Sequence, residues 1–131
     1  MGIKLGFSIK PDVFGYGLLL PHYGTIVVGD NTIGNYAVLH TSTCISGNEK
    51  VIGNGFYLST GARITSKVNL GNGITVAANA VVTNSYVQGN VLVGGIPAVP
   101  IKDRKIWYEE ENDIYIKRVK HIEELKQLMA V

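Results

Sequence analysis

Only one cysteine, Cys44, stands in the 131 residues, so no disulfide can form within the chain. A lone thiol fits a reducing compartment, and the expectation is a cytoplasmic protein. No apolar run approaches the roughly 20 residues that a helical membrane span needs. The start shows no leader pattern, because Lys4 and Lys10 bracket only a short apolar piece. The Ser or Thr that N-myristoylation wants at position 6 is also missing, since Gly6 stands there. Charge is scarce before residue 100, positives do not cluster before residue 102, and the net charge is only +2. That balance argues against a nucleic-acid binder or a polybasic membrane binder. The length fits one domain with a moderate core, of the size that gains stability from oligomerisation.

What the chain has is glycine and branched aliphatics. Sixteen glycines coexist with 46% apolar residues. Val, Ile, Thr and Gly dominate the body, whereas Leu, Glu and Lys collect at the end, which predicts a β-rich body and a helical tail. The body repeats. Stepping by six from Ile52 meets Leu58, Ile64, Leu70, Val76 and Val82. After one seven-residue step the phase resumes backwards at Ile45, Leu39 and Ile33. The residue after each aliphatic is small, with one exception at His40.

A period of two would mark half-buried strands; a period of six with one aliphatic and one small residue marks short strands joined by tight corners. Stacked coils then place aliphatic on aliphatic. The pattern predicts an all-β fold, a parallel β-helix of hexapeptide repeats. A β-sandwich would instead show turn signals every 8 to 12 residues or so. Residues 45–51, ISGNEKV, break the phase and predict a loop projecting from a corner. The aliphatic slot fails at Gln88, so the regular coils are expected to end near Val87, before a final segment VLVGGIPAVPIK at 91–102. Two units are expected: residues 1–102 as the β-helix and 103–131 as a C-terminal α-helical tail. In the tail Ile114, Val119, Ile122, Leu125 and Met129 fall near helical spacing, with Asn112 or Asp113 as N-cap. Trp107 and Tyr108 are expected to anchor the chain to the body.

The hexapeptide repeats followed by VGGIPAVPI resemble the hexapeptide-repeat acyltransferases. Within them, KPDVFGYGLLLPHYGTIVVG is similar to the serine acetyltransferase branch and its relatives in capsule and surface-polysaccharide clusters. The resemblance covers residues 8 to about 102. It implies a left-handed β-helix, a homotrimer with active sites between subunits, acetyl-CoA as co-substrate, and transfer of acetyl to a hydroxyl of a small molecule or sugar. His22 matches the family's catalytic histidine, the general base. Ser8 stands where the family has the supporting carboxylate, and Glu49 falls near its second histidine. Thr60 and Ala78 match the turn positions whose backbone meets the pantetheine arm. Gly95, Pro97 and Ala98 match the terminal Gly-x-Pro-Ala segment near the adenine end. Serine acetylation proper, N-acetylation of an amino sugar and a non-catalytic β-helix scaffold are the alternatives.

The chemistry needs a base near neutrality, which suits histidine, and a cleft that holds both substrates. By its residues alone His22, where the run LLLPHYGTIVVG breaks into a turn, reads first as a capping or packing histidine; the resemblance is what makes it the base. His40 follows it by 18 residues, about one coil, so the two would stack if no register slip intervenes. It is expected to line the acceptor pocket or to occupy a surface corner. Lys102, with Arg104 and Lys105 behind it, either meets the CoA phosphates or forms a solvated basic patch. Cys44 is expected to be a small core or corner residue, and His121 to lie on a solvated helix face. Zinc needs three or four ligands and the body has two histidines, so no metal is expected.

Overall fold

The computed structural model describes residues 7–9, 12–22, 24–111 and 113–129. In chain order the strands are β1 (Phe7–Ile9), β2 (Ile26–Val28), β3 (Thr32–Ile33), β4 (Val38–Leu39), β5 (Thr43–Ile45), β6 (Val51–Ile52), β7 (Tyr57–Leu58), β8 (Arg63–Ile64), β9 (Asn69–Leu70), β10 (Thr75–Val76), β11 (Val81–Val82), β12 (Val91–Gly94) and β13 (Val99–Asp103). Two helices follow, α1 (Trp107–Glu111) and α2 (Asp113–Met129).

Strands three apart in sequence pair in parallel, as do β1 with β2 and β10 with β12, and they build three faces. The first face is β1-β2-β5-β8-β11 and the second is β3-β6-β9. The third is β4-β7-β10-β12, closed by the antiparallel β13. The fold is a left-handed parallel β-helix, a three-sided prism with a C-terminal helix.

All nine predicted aliphatics point inward, at most 4% exposed. Register explains why. Val28, Ile45, Ile64 and Val82 align on the first face, Ile33, Ile52 and Leu70 on the second, and Leu39, Leu58, Val76 and Val93 on the third. Each face is one column of like side chains, which buries only because the coils stack. The third column shows that the coils run past the expected end at Val87. Tyr86 bridges Leu70, and Val93 is the last member under Val76. Gln88 breaks the six-step count because this coil is shorter, not because the prism stops.

One corner carries a second pattern that the hexapeptide count passes over: Gly-Asn pairs at 34–35, 53–54, 71–72 and 89–90. Asn35 N donates to Asn54 Oδ1 at 2.8 Å, and Asn54 N donates to Asn72 Oδ1 at 2.8 Å. The preceding glycines let adjacent coils close over this ladder. A Cβ on Gly53 would lie 2.8 Å from the Gly71 carbonyl carbon and closer still to the Asn72 side chain. Gly53→Ala is therefore expected to cost about 1–3 kcal/mol by overpacking against backbone, read from denaturant midpoints.

The segment 45–51 is not a projecting loop throughout. Gly47, Asn48 and Glu49 are exposed, but Lys50 turns back and is 2% exposed. Lys50 Nζ donates to the Ser46 carbonyl, and its backbone N donates to Asn31 Oδ1 at 3.0 Å. Burial pushes the Lys50 pKa down.

The tail folds back as a strap over the third face. Trp107 and Tyr108 precede α2 and form the first turn of the short α1. Trp107 donates its indole N–H to the Tyr36 carbonyl at 2.7 Å and clusters with Tyr36 and Val38, against which Val119 and Ile122 pack. Leu125 is 45% exposed, so the apolar stripe ends one turn earlier than its spacing predicts. Asn112 and the side chains of Ile114 and Met129 lie outside the described residues. Polar contacts replace the missing stripe: the Tyr16 and Tyr36 hydroxyls both donate to Glu123 Oε1 at 2.9 Å, and Lys126 Nζ donates to Tyr16.

The two phenols hold the Glu123 carboxyl below its usual range. A depressed carboxylate stabilises above its unfolded pKa and loses that contribution as pH falls through the folded value. The strap is therefore expected to loosen in acid below the ordinary carboxylate range. Amide exchange in α2 checks this: it should accelerate in acid, after correction for intrinsic rates, relative to the strands.

Candidate active site along one edge of the prism

Of the predicted donor residues, Thr60, Ala78 and Gly95 share one corner, the turn from the third face to the first. The pairings of Tyr57 with Thr75 and of Val76 with Val93 carry the register onward. Thr41, Thr60, Ala78 and Gly95 therefore follow one another, one per coil. Backbone bonds knit this edge: Gly61 N donates to the Thr41 carbonyl at 3.1 Å, Asn79 N to Thr60 at 3.0 Å and Val81 N to Gly95 at 3.0 Å. Successive coils lie about 4.8 Å apart. Thr60, Ala78, Gly95 and Pro97 are exposed and Thr41 is half-buried. Ala98 is not at the surface: it is 0% exposed, its N donates to the Val81 carbonyl and its carbonyl accepts the Tyr86 hydroxyl. It packs the end of the prism.

His22 heads this edge. Leu19 pairs with Val38 and Ile26 with Thr43. The first corner thus spans seven steps (19 to 26) over the five (38 to 43) of the coil beside it. Two extra residues push the chain outward. His22 is exposed on this widened corner, and Gly24 behind it lies against the Thr41 side chain. No hydrogen bond joins His22 to Ser8 among the described residues. Ser8 lies exposed on β1, paired with Val27.

The widened corner is the register slip that separates the two histidines. The coil is 19 residues from Leu19 to Val38, so Pro21, not His22, comes beside His40. His40 belongs to a neighbouring column with Ser59, Ala77 and Gly94. Its N donates to the Leu58 carbonyl at 3.0 Å, Ser59 N to Val76 at 3.1 Å and Ala77 N to Val93 at 2.9 Å. The half-buried ring is not a bare corner histidine: Nε2 is 2.8 Å from the Tyr57 hydroxyl, with the tautomer deciding which donates. Tyr57 had no marker in the sequence beyond its place before an aliphatic slot.

Glu49 is on a different edge, between the first and second faces, where it pairs with Lys67 at 3.2 Å with both side chains exposed. Within one chain it does not meet His22. Lys102 is exposed on β13 and lines a cavity of about 460 Å³ with Arg104, Lys105, Asn90, Asp103 and Glu109. The three cations do share one concavity, partly offset by two carboxylates. Cys44 is neither core nor corner: it faces outward from the middle of β5, half-buried. His121 is exposed on α2. Among the described residues no three His, Cys, Asp or Glu side chains are grouped to hold a metal ion. No described helix is long and apolar enough to cross a membrane.

No family model matches the chain. A curated serine acetyltransferase of Helicobacter pylori is 28% identical over 108 residues, 76% of this chain and 63% of that protein. The crystal structure of Neisseria gonorrhoeae serine acetyltransferase matches with a TM-score of 0.66 and 27% identity, over 75% of this chain and 41% of that one. The chain is thus similar to serine acetyltransferases in sequence and fold, and its prism is that of the hexapeptide-repeat acetyltransferases. A hexapeptide-repeat acetyltransferase of Vibrio cholerae, solved with acetyl-CoA, shares the fold at a TM-score of 0.55 and 22% identity, over 76% of this chain and 68% of that one. This serine acetyltransferase-like chain spans less than two thirds of the length of the curated relatives it matches.

Proposed function

We propose that residues 1–102 form an acetyl-CoA-dependent O-acetyltransferase unit whose active site runs along the edge headed by His22, with 103–131 as an appended tail. The observation that carries this is the edge itself. The expected base and the expected pantetheine positions, Thr60 and Ala78, come from distant parts of the sequence and align on one exposed ladder. Gly95 and Pro97 end the same edge, and the Lys102 cavity offers cations for phosphate. Ala98 acts there only by packing.

The reaction needs no covalent enzyme intermediate. Acceptor oxygen attacks the thioester carbonyl while a ring nitrogen of His22 removes the hydroxyl proton. Backbone N–H groups of the edge stabilise the oxyanion. The C–S bond then breaks and CoA leaves as the thiol, taking the proton from His22. Holding both substrates against a rigid prism supplies the rest by orientation.

The assembly is read as a cytoplasmic homotrimer. That arrangement gives Glu49, on another edge, a way to face a neighbouring copy's His22. His40, tied to Tyr57, orients an acceptor oxygen, and Ser8 lies at the outer rim. An acceptor screen tests the reading: thiol release from acetyl-CoA is measured with serine, homoserine, hydroxyl-bearing sugars and nucleotide-linked amino sugars. A hydroxyl acceptor that turns over is the expected result. Turnover of an amine alone would replace O-transfer by N-transfer, and no thiol release with any acceptor would favour a scaffold.

A further inference from the structure

Beneath the strap lies a second cavity, of about 320 Å³, which shares Arg104 with the Lys102 cavity and Tyr57 with the His40 contact. Its floor is the outer side of the third face, Tyr57, Thr75 and Leu92, with Ser59 and Ala77 beside them. Arg104 and Trp107 close it from the tail. Thr75 is the anomaly. It is 5% exposed, and its Oγ1 is buried with no hydrogen-bond partner among the described residues. A buried hydroxyl left unmatched is costly, whereas valine of the same shape would fit a strand without cost. Native proteins keep few such groups. Arg104 enters neither of the ion pairs formed among the described residues. Arg104 and Thr75 therefore line one space together with Leu92, Ala77 and Trp107.

We propose that this cavity binds a small hydroxylated molecule carrying one carboxylate. The planar guanidinium accepts a carboxylate in a bidentate pair. The Thr75 hydroxyl donates to it or to a ligand hydroxyl, and Ser59 supplies a further polar contact. The apolar walls cover a short carbon skeleton. The volume lies at the lower end for ligand sites, which suits a molecule of a few carbons. A phosphate fits less well. Its second charge would need another cation, and Lys102 and Lys105 line the neighbouring cavity, not this one. The site uses neither His22 nor the Thr60–Ala78 edge, and it shares Arg104 with the cavity offered to the CoA phosphates.

Trp107 is the only tryptophan of the chain and lines the cavity, so its emission reports occupancy directly. The full chain, without CoA, is titrated with glycerate and separately with inorganic phosphate. The expected result is a saturable emission change with glycerate at millimolar concentration and a weaker one with phosphate. Arg104→Gln should abolish the glycerate response. Thr75→Val should weaken it about tenfold, as for a lost bond to a charged group. Unliganded Thr75→Val should melt no lower than the wild type, because the variant removes an unmatched group. A missing glycerate response, an equal response in both variants or a preference for phosphate would each overturn the proposal. So would a Thr75→Val variant that melts below the wild type.

Discussion

His22→Ala is expected to lower acetyl transfer by about 10²–10⁴-fold, the usual contribution of a positioned base. The loss should fall on kcat, with CoA affinity kept, because His22 stands at the head of the edge, before the Thr60–Ala78 stretch expected to meet the pantetheine arm. Melting should hardly change, since His22 is exposed on a widened corner and bonds to no other described residue. Steady-state kinetics with the acceptor found by screening check this. Full activity in His22→Ala would move the base elsewhere, with His40, held by Tyr57, the first residue to examine.

Leu58→Ala is the second large effect. Leu58 is 0% exposed and sits between Leu39 and Val76 in the third column. Its removal opens a gap in a stack whose neighbours are fixed by coil spacing and cannot collapse freely. The expected cost is about 2–5 kcal/mol. Against a total stability of about 5–15 kcal/mol this brings the prism near unfolding. Val51→Ala serves as the contrast: Val51 is next to Ile52 but 50% exposed, so its change should stay within about 0.5 kcal/mol. Urea denaturation of both variants, read by circular dichroism, separates the inward slot from the outward one.

The interior was legible because one physical requirement repeats. Each coil must give one aliphatic per face, and Ile52, Leu58 and Ile64 state it three times in one turn. The outer surface obeys no such repeat. Tyr57, Thr75 and Leu92 hold equivalent outward positions, and nothing in their identities announces that a strap covers them. Trp107 was read as an anchor, and it is one, but its partner Tyr36 lies 71 residues away and belongs to no local pattern. The widened corner at His22 was hidden for a related reason. LLLPHYGTIVVG reads as a nearly continuous apolar run, and only the pairings of Leu19 and Ile26 show that two residues are extra. The Gly-Asn ladder was in plain sight, but a search for aliphatic slots steps over the corner residues. Lys50 shows the opposite failure. A lysine in a polar stretch reads as a loop residue, yet its stem is buried and its amine is satisfied by the Ser46 carbonyl.

The central claim is that the edge from Thr41 to Gly95 holds the donor, and CoA binding by an Ala78→Trp variant tests it most directly. Ala78 is exposed on a turn, so an indole there should leave the unliganded melting temperature unchanged while crowding the edge. The account predicts that CoA at millimolar concentration raises the melting temperature of the wild type and leaves that of Ala78→Trp where it was. Equal stabilisation of the two proteins by CoA would contradict it.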